Sequence, residues 1–470
     1  MSSRTNQVDE SIRLQLRVTC PHCWFVFSPD KALWIAQHPD LLGDVRLGAD
    51  HQQRFLPTRF TVDGAAIDSK GFPCRDLACC NCHLPIPRAL FETKPFFFSI
   101  LGAPASGKSY FLASMTWQLR QLLPRQFSLS FSDADPIANL RLQGYESLHF
   151  LNDNPEAFVA IEKTETFGDH YDTVLFGDQA INYLRPFLFA ISPLPAHTNL
   201  QLASKISRVL CMYDNAGESF LPGADTATNP VTRHLALSQA LLFLFDPTQD
   251  VRFRRACQGK SNDVQMSDRS ERFCRSSPVR QDTILQEAAN RIRRETGLSS
   301  KAKHPRPLIV VVTKYDAWMS VLNEELPPSP WVDGAQQGMS ALRMDLIEEW
   351  SNRVREVLFE LSPEIVAAAE SFSDHVIYIP VSATGCGPNL APETGALGIR
   401  PKDIQPLWAE VPLLYTLSKL TRGLISQARR KPGSGDSDLH GSQLRVVGGL
   451  AEIYTPPPLY ESHKSERKSS

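Results

Sequence analysis

The segment that most constrains the fold of this chain is Gly102-Ala-Pro-Ala-Ser-Gly-Lys-Ser109, which fits the pattern G-x-x-x-x-G-K-[ST]. It follows an apolar run typical of a buried strand, Lys94–Leu101, and precedes apolar residues at helical spacing, Ser109–Leu123. The glycines let the backbone turn so that its N–H groups converge on phosphate oxygens at the positive end of the helix. The pattern therefore predicts that Lys108 reaches terminal phosphates and that the Ser109 hydroxyl ligates Mg²⁺. The expected contacts to a bound nucleotide in this phosphate loop are Gly102, Ala105, Ser106, Gly107, Lys108, Ser109 and Tyr110.

Strand-like and helix-like segments alternate along the rest of the chain. Short apolar runs predict buried strands at Ser207–Tyr213, Ala240–Phe245, Leu308–Val312 and His375–Val381. Helical patterns cover Gln281–Glu295, Met344–Phe372 and Trp408–Ser426. We expect the run Asn199–Ser204 to pair with the strand that follows it as a hairpin. Such alternation predicts an α/β fold whose sheet is covered on both faces.

An apolar run that ends in D-x-x-G supplies a second chemical pattern, Asp214 to Gly217. A carboxylate at a strand tip beside the phosphate loop can hold Mg²⁺, usually through water. The glycine N–H can sense a γ-phosphate. The pattern alone is weak, because aspartate and glycine also end many strands as plain turn residues.

Two further patterns follow later strands, and both suit a purine base. After Leu308–Val312 comes T-K-x-D, in which the Asp316 carboxylate can accept from N1–H and the 2-amino group of guanine. The stem of Lys314 can lie along the base plane. The alternative is a solvated charged turn. After the last strand, the backbone N–H groups of Ser382 and Ala383 can contact guanine O6.

The four patterns, in this order and at strand ends, resemble those of GTPases of the translation-factor and Ras-like class. The resemblance covers residues 95–427. It implies a P-loop GTPase fold with a mainly parallel six-stranded sheet, one strand of which is antiparallel and comes from the 199–213 hairpin. It also implies a switch between GTP and GDP with Mg²⁺, and attack of water on the γ-phosphate. By motif position the implied phosphate and Mg²⁺ residues are Lys108, Ser109 and Asp214, the γ-phosphate sensor is Gly217, and the guanine residues are Thr313, Lys314, Asp316, Ser382 and Ala383.

The chain departs from that family at two places. Glu218 stands where such GTPases often carry Gln or His to orient water, and a carboxylate cannot donate to the developing charge on the γ-phosphate. We therefore expect slow hydrolysis with Glu218 as the candidate catalytic residue beside Lys108, or a scaffold that binds GTP with negligible turnover. The switch threonine is not obvious. Thr198 is the first candidate, and Thr164, Thr166 and Thr173 are the others.

Paired cysteines precede the phosphate loop. Cys20-Pro-His-Cys23 and Cys79-Cys-Asn-Cys82 each contain C-x-x-C, and four thiolates from two such knuckles suit Zn²⁺. The region looks like a zinc ribbon whose two halves are separated by an insertion, and the metal would act as a structural staple. The alternatives are a redox dithiol or buried free cysteines. Four nearby residues leave the ligand set open, namely Cys74, Cys80, His22 and His83.

Composition and segment boundaries complete the expectations. The chain has 49 basic and 51 acidic side chains, a net charge of -2, which argues against a nucleic-acid-associated NTPase driven by bulk charge. The start, Met1–Glu10, is polar, so we expect a cytoplasmic protein with no signal peptide and no transmembrane segment. The expected organisation is a zinc-ribbon-like module at 1–94, a GTPase domain at 95–427 with a basic insertion at 250–306 whose first half is a mobile loop, and a disordered tail at 428–470. The insertion and the cysteine module look like those of the bacterial double-GTPases found in conflict systems, which implies a protein partner, either a companion GTPase or an effector.

Overall fold

The structure is a computed structural model, which describes residues 14–161, 170–215, 217–221, 231–267, 279–322, 324–334, 339–391, 395–429 and 445–447. Short strands fill the amino-terminal part: β1 (Val18–Thr19), β2 (Val26–Phe27), β3 (Leu33–Ile35), β4 (Leu42–Asp44), β5 (Gly48–Gln52), β6 (Arg54–Phe55), β7 (Ala66–Ile67), β8 (Pro73–Cys74), β9 (Leu77–Ala78) and β10 (Pro85–Ile86). A single helical turn, α1 (Ala89–Glu92), ends this part of the chain.

Longer elements then alternate. In chain order they are β11 (Pro95–Gly102), α2 (Lys108–Gln126), β12 (Leu129–Asp133), α3 (Pro136–Phe150), β13 (Tyr171–Phe176), β14 (Gln179–Leu184), β15 (Phe187–Pro193), α4 (Ala203–Ile206), β16 (Arg208–Asp214), α5 (Val231–Leu237), β17 (Ala240–Phe245), α6 (Val251–Cys257), α7 (Gln281–Thr296), β18 (Leu308–Val312), α8 (Tyr315–Trp318), β19 (Trp331–Val332), β20 (Ala341–Arg343), α9 (Met344–Leu361), α10 (Pro363–Phe372), β21 (Val376–Pro380), β22 (Asn389–Leu390), β23 (Leu397–Gly398), α11 (Val411–Leu420), β24 (Gln427–Arg429) and β25 (Arg445–Val447).

Seven strands form the central mixed sheet, in the order β12-β15-β16-β11-β17-β18-β21. The five strands from β16 to β21 in that order pair in parallel. Only β15 runs against its two neighbours. The predicted α/β class is confirmed, with a mixed sheet at its centre. The expected number of six strands is wrong, because β12 adds an edge strand beyond β15.

The antiparallel strand is not the one predicted. Residues 199–204 form a 3₁₀ turn at Leu200–Leu202 followed by α4, whereas β15 pairs with β16 in the register Phe187↔Met212. The reason is burial. Phe187, Phe189 and Ile191 alternate along β15 and all enter the core. Leu200, in the predicted strand, stays exposed instead.

Alternate residues of the sheet bury into different layers. Phe98 and Ile100 of β11 share a core with residues of α2 and α11. On the opposite face, residues of β17 and β18 share a core with α7 and α10. The remainder of that opposite face, including Phe97, Val209 and Tyr213, packs on the amino-terminal cysteine region through Trp24. That region therefore occupies a place where helices were expected.

The described parts of the segment 250–306 are more ordered than their composition predicts. After Asp250, α6 buries Phe253 and Cys257 in the sheet core, and a 3₁₀ helix at Val264–Met266 buries Met266. The prediction of a mobile loop is wrong for 251–267, and residues 268–278 lie outside the described residues.

The expected disordered tail contains a strand. β25 pairs antiparallel with β24, and the remaining tail residues, 430–444 and 448–470, lie outside the described part of the chain. Within the described residues, each helix is too short or too polar to cross a membrane.

Candidate nucleotide site and metal centre

The phosphate loop joins the end of β11 to the first residue of α2. Gly107 stands before the helix with φ 85°, and a β-carbon on Gly102 would lie 2.7 Å from the carbonyl oxygen of Leu244. Both positions therefore favour glycine, one for its backbone angle and one for space. Lys108 lies across the loop, with Nζ donating to the carbonyl oxygens of Gly102 at 3.1 Å and Ala103 at 2.8 Å.

Asp214 lies beside this loop because its strand is adjacent to β11. The register pairs Ile100 with Asp214, so the carboxylate stands at the carboxyl end of the parallel strands, where the phosphate loop also begins. The Ser109 hydroxyl donates to Asp214 Oδ2 at 3.3 Å, and both side chains are buried. A hydroxyl and a carboxylate are the hard oxygen ligands that Mg²⁺ prefers, so the pair fits this ion.

The next residues along the chain touch the phosphate loop directly. Gly217 begins a 3₁₀ helix that ends at Phe220, and a β-carbon on Gly217 would meet the backbone of Ala103 and Pro104. Glu218 follows on the same turn and is half-buried. The D-x-x-G residues and the phosphate loop are thus brought together.

A cavity of about 230 Å³ extends from the phosphate loop toward the ends of β18 and β21. Its walls include Ala105, Ser106, Gly107 and Tyr110 from the first pattern, and Thr313, Lys314, Asp316, Ser382 and Ala383 from the last two. These segments are more than 200 residues apart in the sequence. They meet because the parallel strands before them all end on the same side of the sheet. The Tyr110 hydroxyl also accepts from the backbone N–H of Ile161 at 2.9 Å.

Asp316 is held by its neighbour on the next strand. The Ser382 hydroxyl donates to Asp316 Oδ1 and itself accepts from the Gly385 backbone N–H at 2.7 Å. Burial raises the pKa of Asp316 above its ordinary value, and the Ser382 hydrogen bond opposes that rise. Donors that approach this carboxylate therefore stabilise an ion that is poorly solvated.

Lys314 is fixed by residues that the sequence patterns did not include. Its backbone is left-handed at φ 54°, and Nζ donates to Asp246 Oδ2 at 2.8 Å and to Thr248 Oγ1 at 3.0 Å. The sequence signal was present, because Asp246-Pro247 ends the β17 strand at the same edge. Asp263 and Gln265 also line the cavity, and nothing in the local sequence pointed to either.

Thr198 and Thr173, the candidates for a switch threonine among the described residues, do not reach this site. β15 runs antiparallel to β16 and so ends on the side of the sheet away from the phosphate loop. Thr198, which follows β15, therefore lies near the start of β16, at the amino ends of the parallel strands. The assignment of Thr198 is therefore wrong. Thr173 lies on the β13–β14 hairpin and donates to Asn182, while Thr164 and Thr166 lie outside the described residues.

Four buried cysteines form a compact cluster, Cys20, Cys23, Cys79 and Cys82. Their sulfur atoms all lie within 4.8 Å of one another, and the pairs Cys20–Cys82 and Cys23–Cys79 are each 3.7 Å apart. A tetrahedral Zn²⁺ with Zn–S bonds of about 2.3 Å separates its sulfurs by about 3.8 Å, so the cluster fits this metal. Burial raises the pKa of the Cys20 thiol, and a cation would offset that cost in the thiolate form.

The two knuckles have the same backbone geometry. The residue after each second cysteine is left-handed, Trp24 at φ 58° and His83 at φ 63°. The Trp24 N–H donates to the Cys20 carbonyl at 3.1 Å, and the His83 N–H donates to the Cys79 carbonyl at 3.0 Å. This repeat indicates two halves built to present sulfur to one centre.

The other candidate ligands are engaged elsewhere. The His83 ring contacts the Asp44 carboxylate at 2.9 Å, and the His22 ring contacts the Pro85 carbonyl at 3.0 Å. Cys74 Sγ lies near Asp68, and Cys80 is only half-buried. The four-sulfur set is therefore the complete cluster among the described residues.

No protein-family model matches the chain, and no curated protein matches it. Solved structures with some likeness include Sup35 complexed with GDP, at 12 % identity and a TM-score of 0.21, covering 63 % of this chain and 39 % of that one. Another is the signal recognition particle receptor SRb–GTP/SRX complex from Chaetomium thermophilum, at 13 % identity and a TM-score of 0.24, covering 62 % of this chain and 95 % of that one. A third is the Ski7 GTPase-like domain of S. cerevisiae bound to GTP, at 14 % identity and a TM-score of 0.25, covering 70 % of this chain and 50 % of that one. At these TM-scores the likeness alone does not identify a family for this chain.

Proposed function

We propose that this protein binds GTP and GDP with Mg²⁺ and hydrolyses GTP, on a P-loop GTPase fold. One observation carries the proposal: the phosphate loop, Thr313–Asp316 and Ser382–Ala383 line a single cavity of about 230 Å³. Phosphate-binding and base-binding chemistry at the two ends of one cavity is what a nucleoside di- or triphosphate requires.

Base selection is assigned to Asp316. Its carboxylate accepts two hydrogen bonds from guanine, whereas adenine has no matching pair of donors and places an acceptor there instead. Ser382 supports the proposal because it orients Asp316 from the neighbouring strand. Lys314, anchored by Asp246 at 2.8 Å, keeps its stem along one side of the base.

Phosphate binding is assigned to Lys108 and the loop N–H groups, with Ser109 and Asp214 as the residues that hold Mg²⁺. Bound Mg²⁺ neutralises charge on the β- and γ-phosphates. Lys108 already lies over the loop, 2.8 Å from the Ala103 carbonyl oxygen, so a short shift of its ammonium exchanges carbonyl contacts for phosphate contacts. Gly217, which abuts the loop, offers its N–H to the γ-phosphate.

Turnover is the open half of the proposal. Glu218 is half-buried next to Gly217 and carries no donor for the γ-phosphate. A second candidate function is therefore a GTP-dependent binding scaffold with negligible turnover. Single-turnover hydrolysis of bound GTP separates the two, since a scaffold leaves GTP intact over hours while an enzyme converts it to GDP.

The cysteine cluster is assigned to structural Zn²⁺, supported by the 3.7 Å sulfur separations. A protein partner, either a companion GTPase or an effector, a cytoplasmic location and membership of the double-GTPases of conflict systems all remain predictions. Nucleic-acid binding stays the less favoured role, because the net charge is only -2.

The decisive test of GTP binding is titration calorimetry with GDP and ADP, and with GTP and ATP. Each hydrogen bond to a charged group contributes roughly 1.5–3 kcal/mol of binding free energy, and adenine lacks the two that guanine makes to Asp316. Guanine nucleotides should therefore bind at least about 10²-fold more tightly than adenine nucleotides. Equal affinity would place the protein among general P-loop NTPases.

A further inference from the structure

A second carboxylate stands in the cavity that contains Asp316. Asp263 comes from the segment between α6 and α7 and is only 8 % exposed. It lines the cavity together with Lys314 and Asp316.

The two oxygens of Asp263 have different surroundings. Oδ1 accepts from the Gln265 backbone N–H at 2.7 Å and so caps the 3₁₀ helix Val264–Met266. Oδ2 is buried and has no hydrogen-bond partner among the residues that the structure describes. Burial, with repulsion from Asp316, raises the pKa of Asp263 to about 6. A buried carboxylate oxygen without a donor is costly, which is a reason to expect a donor from a ligand.

Gly387 makes room for this carboxylate. A β-carbon on Gly387 would lie 2.7 Å from both Cγ and Oδ2 of Asp263. The backbone angle of Gly387 is one that other residues adopt, so its missing side chain matters for space and not for conformation. Gly387 is itself part of the cavity wall, which places the Asp263 carboxylate against that wall.

A capping role alone does not account for these features. A cap needs one oxygen, and serine or asparagine provides it equally well. Asp135 caps α3 with Oδ1 in the same manner, but that residue is half-buried and lies outside the cavity. What sets Asp263 apart is the second oxygen, buried beside the carboxylate that is assigned to the base.

We propose that Asp263 is a second base-reading carboxylate, which accepts from the N–H of the guanine 2-amino group that Asp316 leaves free. Guanine offers three N–H donors on this edge, one on N1 and two on the 2-amino group. The two oxygens of Asp316 account for two of them, and Asp263 Oδ2 takes the third. The inference rests on the proposed binding of guanine nucleotides and adds a specificity residue to it.

The test compares GDP with IDP, whose hypoxanthine base lacks the 2-amino group, and with 2′-deoxy-GDP. Calorimetry is done on the full chain, wild type and Asp263→Asn. The asparagine keeps a cap oxygen for Gln265 but can turn an amide donor toward the base. Affinity for GDP should fall about tenfold or more, while affinity for IDP should change less than about threefold. Gly387→Ala, which displaces the carboxylate through contact with Cγ and Oδ2, should have the same selective effect while the Asp263 side chain itself is kept.

Asp282→Asn is the matched control. It removes a carboxylate on the first turn of α7 that is paired with Arg280 at 2.9 Å outside the cavity, and it should leave both affinities unchanged. Thermal unfolding of each variant shows whether the fold is retained.

Three results would overturn the inference. Equal losses for GDP and IDP with no loss for 2′-deoxy-GDP would assign Asp263 to the ribose. Unchanged GDP binding by Asp263→Asn and Gly387→Ala, in a wild type that prefers GDP over ADP, would leave the proposed function standing and remove the role of Asp263. A wild type without guanine preference would remove both.

Discussion

A β-carbon on Gly217 would lie 2.4 Å from the backbone nitrogen of Pro104. The same β-carbon would lie 2.7 Å from the Ala103 carbonyl carbon, so it would clash with backbone atoms of two consecutive residues. Backbone of a closed loop cannot move away as the end of a flexible side chain can. The phosphate loop and the turn after Asp214 therefore form one packed unit, and a change in either is transmitted to the other.

Gly217→Ala should force these two segments apart. Because the proposed contact of Gly217 is to the γ-phosphate, GTP affinity and single-turnover hydrolysis should each fall tenfold or more, and GDP affinity should fall less. Stopped-flow binding and a hydrolysis assay measure both. The matched control is Gly144→Ala on α3, where a β-carbon meets nothing within 4 Å and helix propensity should leave stability equal or slightly higher. A mutant that kept wild-type GTP binding would contradict the packed unit.

Asp316→Asn should exchange the base preference. The amide replaces one acceptor oxygen by a donor, so guanine affinity should drop about 10²-fold and xanthine affinity should rise, because xanthine carries an oxygen at its 2-position. Competition between GTP, ATP and XTP on wild type and mutant gives the ratios. A mutant that lost all three nucleotides equally would indicate that Asp316 supports the fold and does not read the base.

Nucleotide binding should weaken in mild acid. Asp263, which faces Asp316, Asp246 and Lys314, has its pKa raised to about 6, mainly by burial. The ionised carboxylate is a stronger acceptor for a base N–H than the neutral acid, so bound guanine lowers this pKa. The contribution of Asp263 to GDP affinity is thus fully present above pH 6 and is lost as the pH falls from 6 through the lower pKa of the bound state. Calorimetry from pH 7.5 to 5 should show this loss, and Asp263→Asn should reduce the slope, since the nucleotide phosphates titrate in both proteins alike.

Purified protein should contain about one Zn²⁺ per chain. Cys20→Ser or Cys82→Ser breaks the four-sulfur set, so elemental analysis should show the metal lost and calorimetry a lowered melting temperature. Cys80→Ser serves as the control, because this half-buried thiol lies between two ligands in sequence but outside the cluster. Wild-type protein free of zinc and iron would refute the assignment.

Glu218→Gln should leave the hydrolysis rate unchanged or raise it. The amide adds a donor toward the γ-phosphate that the carboxylate lacks, while keeping an acceptor for water. Single-turnover assays at saturating GTP measure the rate. A fall of about 10²-fold or more would instead make Glu218 a general base.

Local patterns at strand ends were sufficient to find most of the site. Asp214, Asp316 and Ser382 each follow an apolar run, and the parallel order of β16, β11, β17, β18 and β21 brings those run ends to one edge. Asp263 could not be found in this way. Its position depends on a single 3₁₀ turn, which is held in place because Met266 is buried in the sheet core. This is a tertiary contact in a segment whose charge suggested a mobile loop. Thr198 was misplaced because the strand before it, β15, runs against the others.

The cysteine region changes what a shortened version of this protein would be. Tyr213, the residue before Asp214, links the sheet to the cysteine region. The Trp24 indole N–H donates to the Tyr213 hydroxyl at 3.1 Å, and that hydroxyl donates to the Pro21 carbonyl oxygen at 2.5 Å. A chain starting at residue 95 would expose Phe97, Val209 and Tyr213 to water as a continuous apolar patch, which favours aggregation. Residue 94 thus marks a change of architecture but not the border of an independent folding unit, and removal of the proposed Zn²⁺ should make the whole protein insoluble.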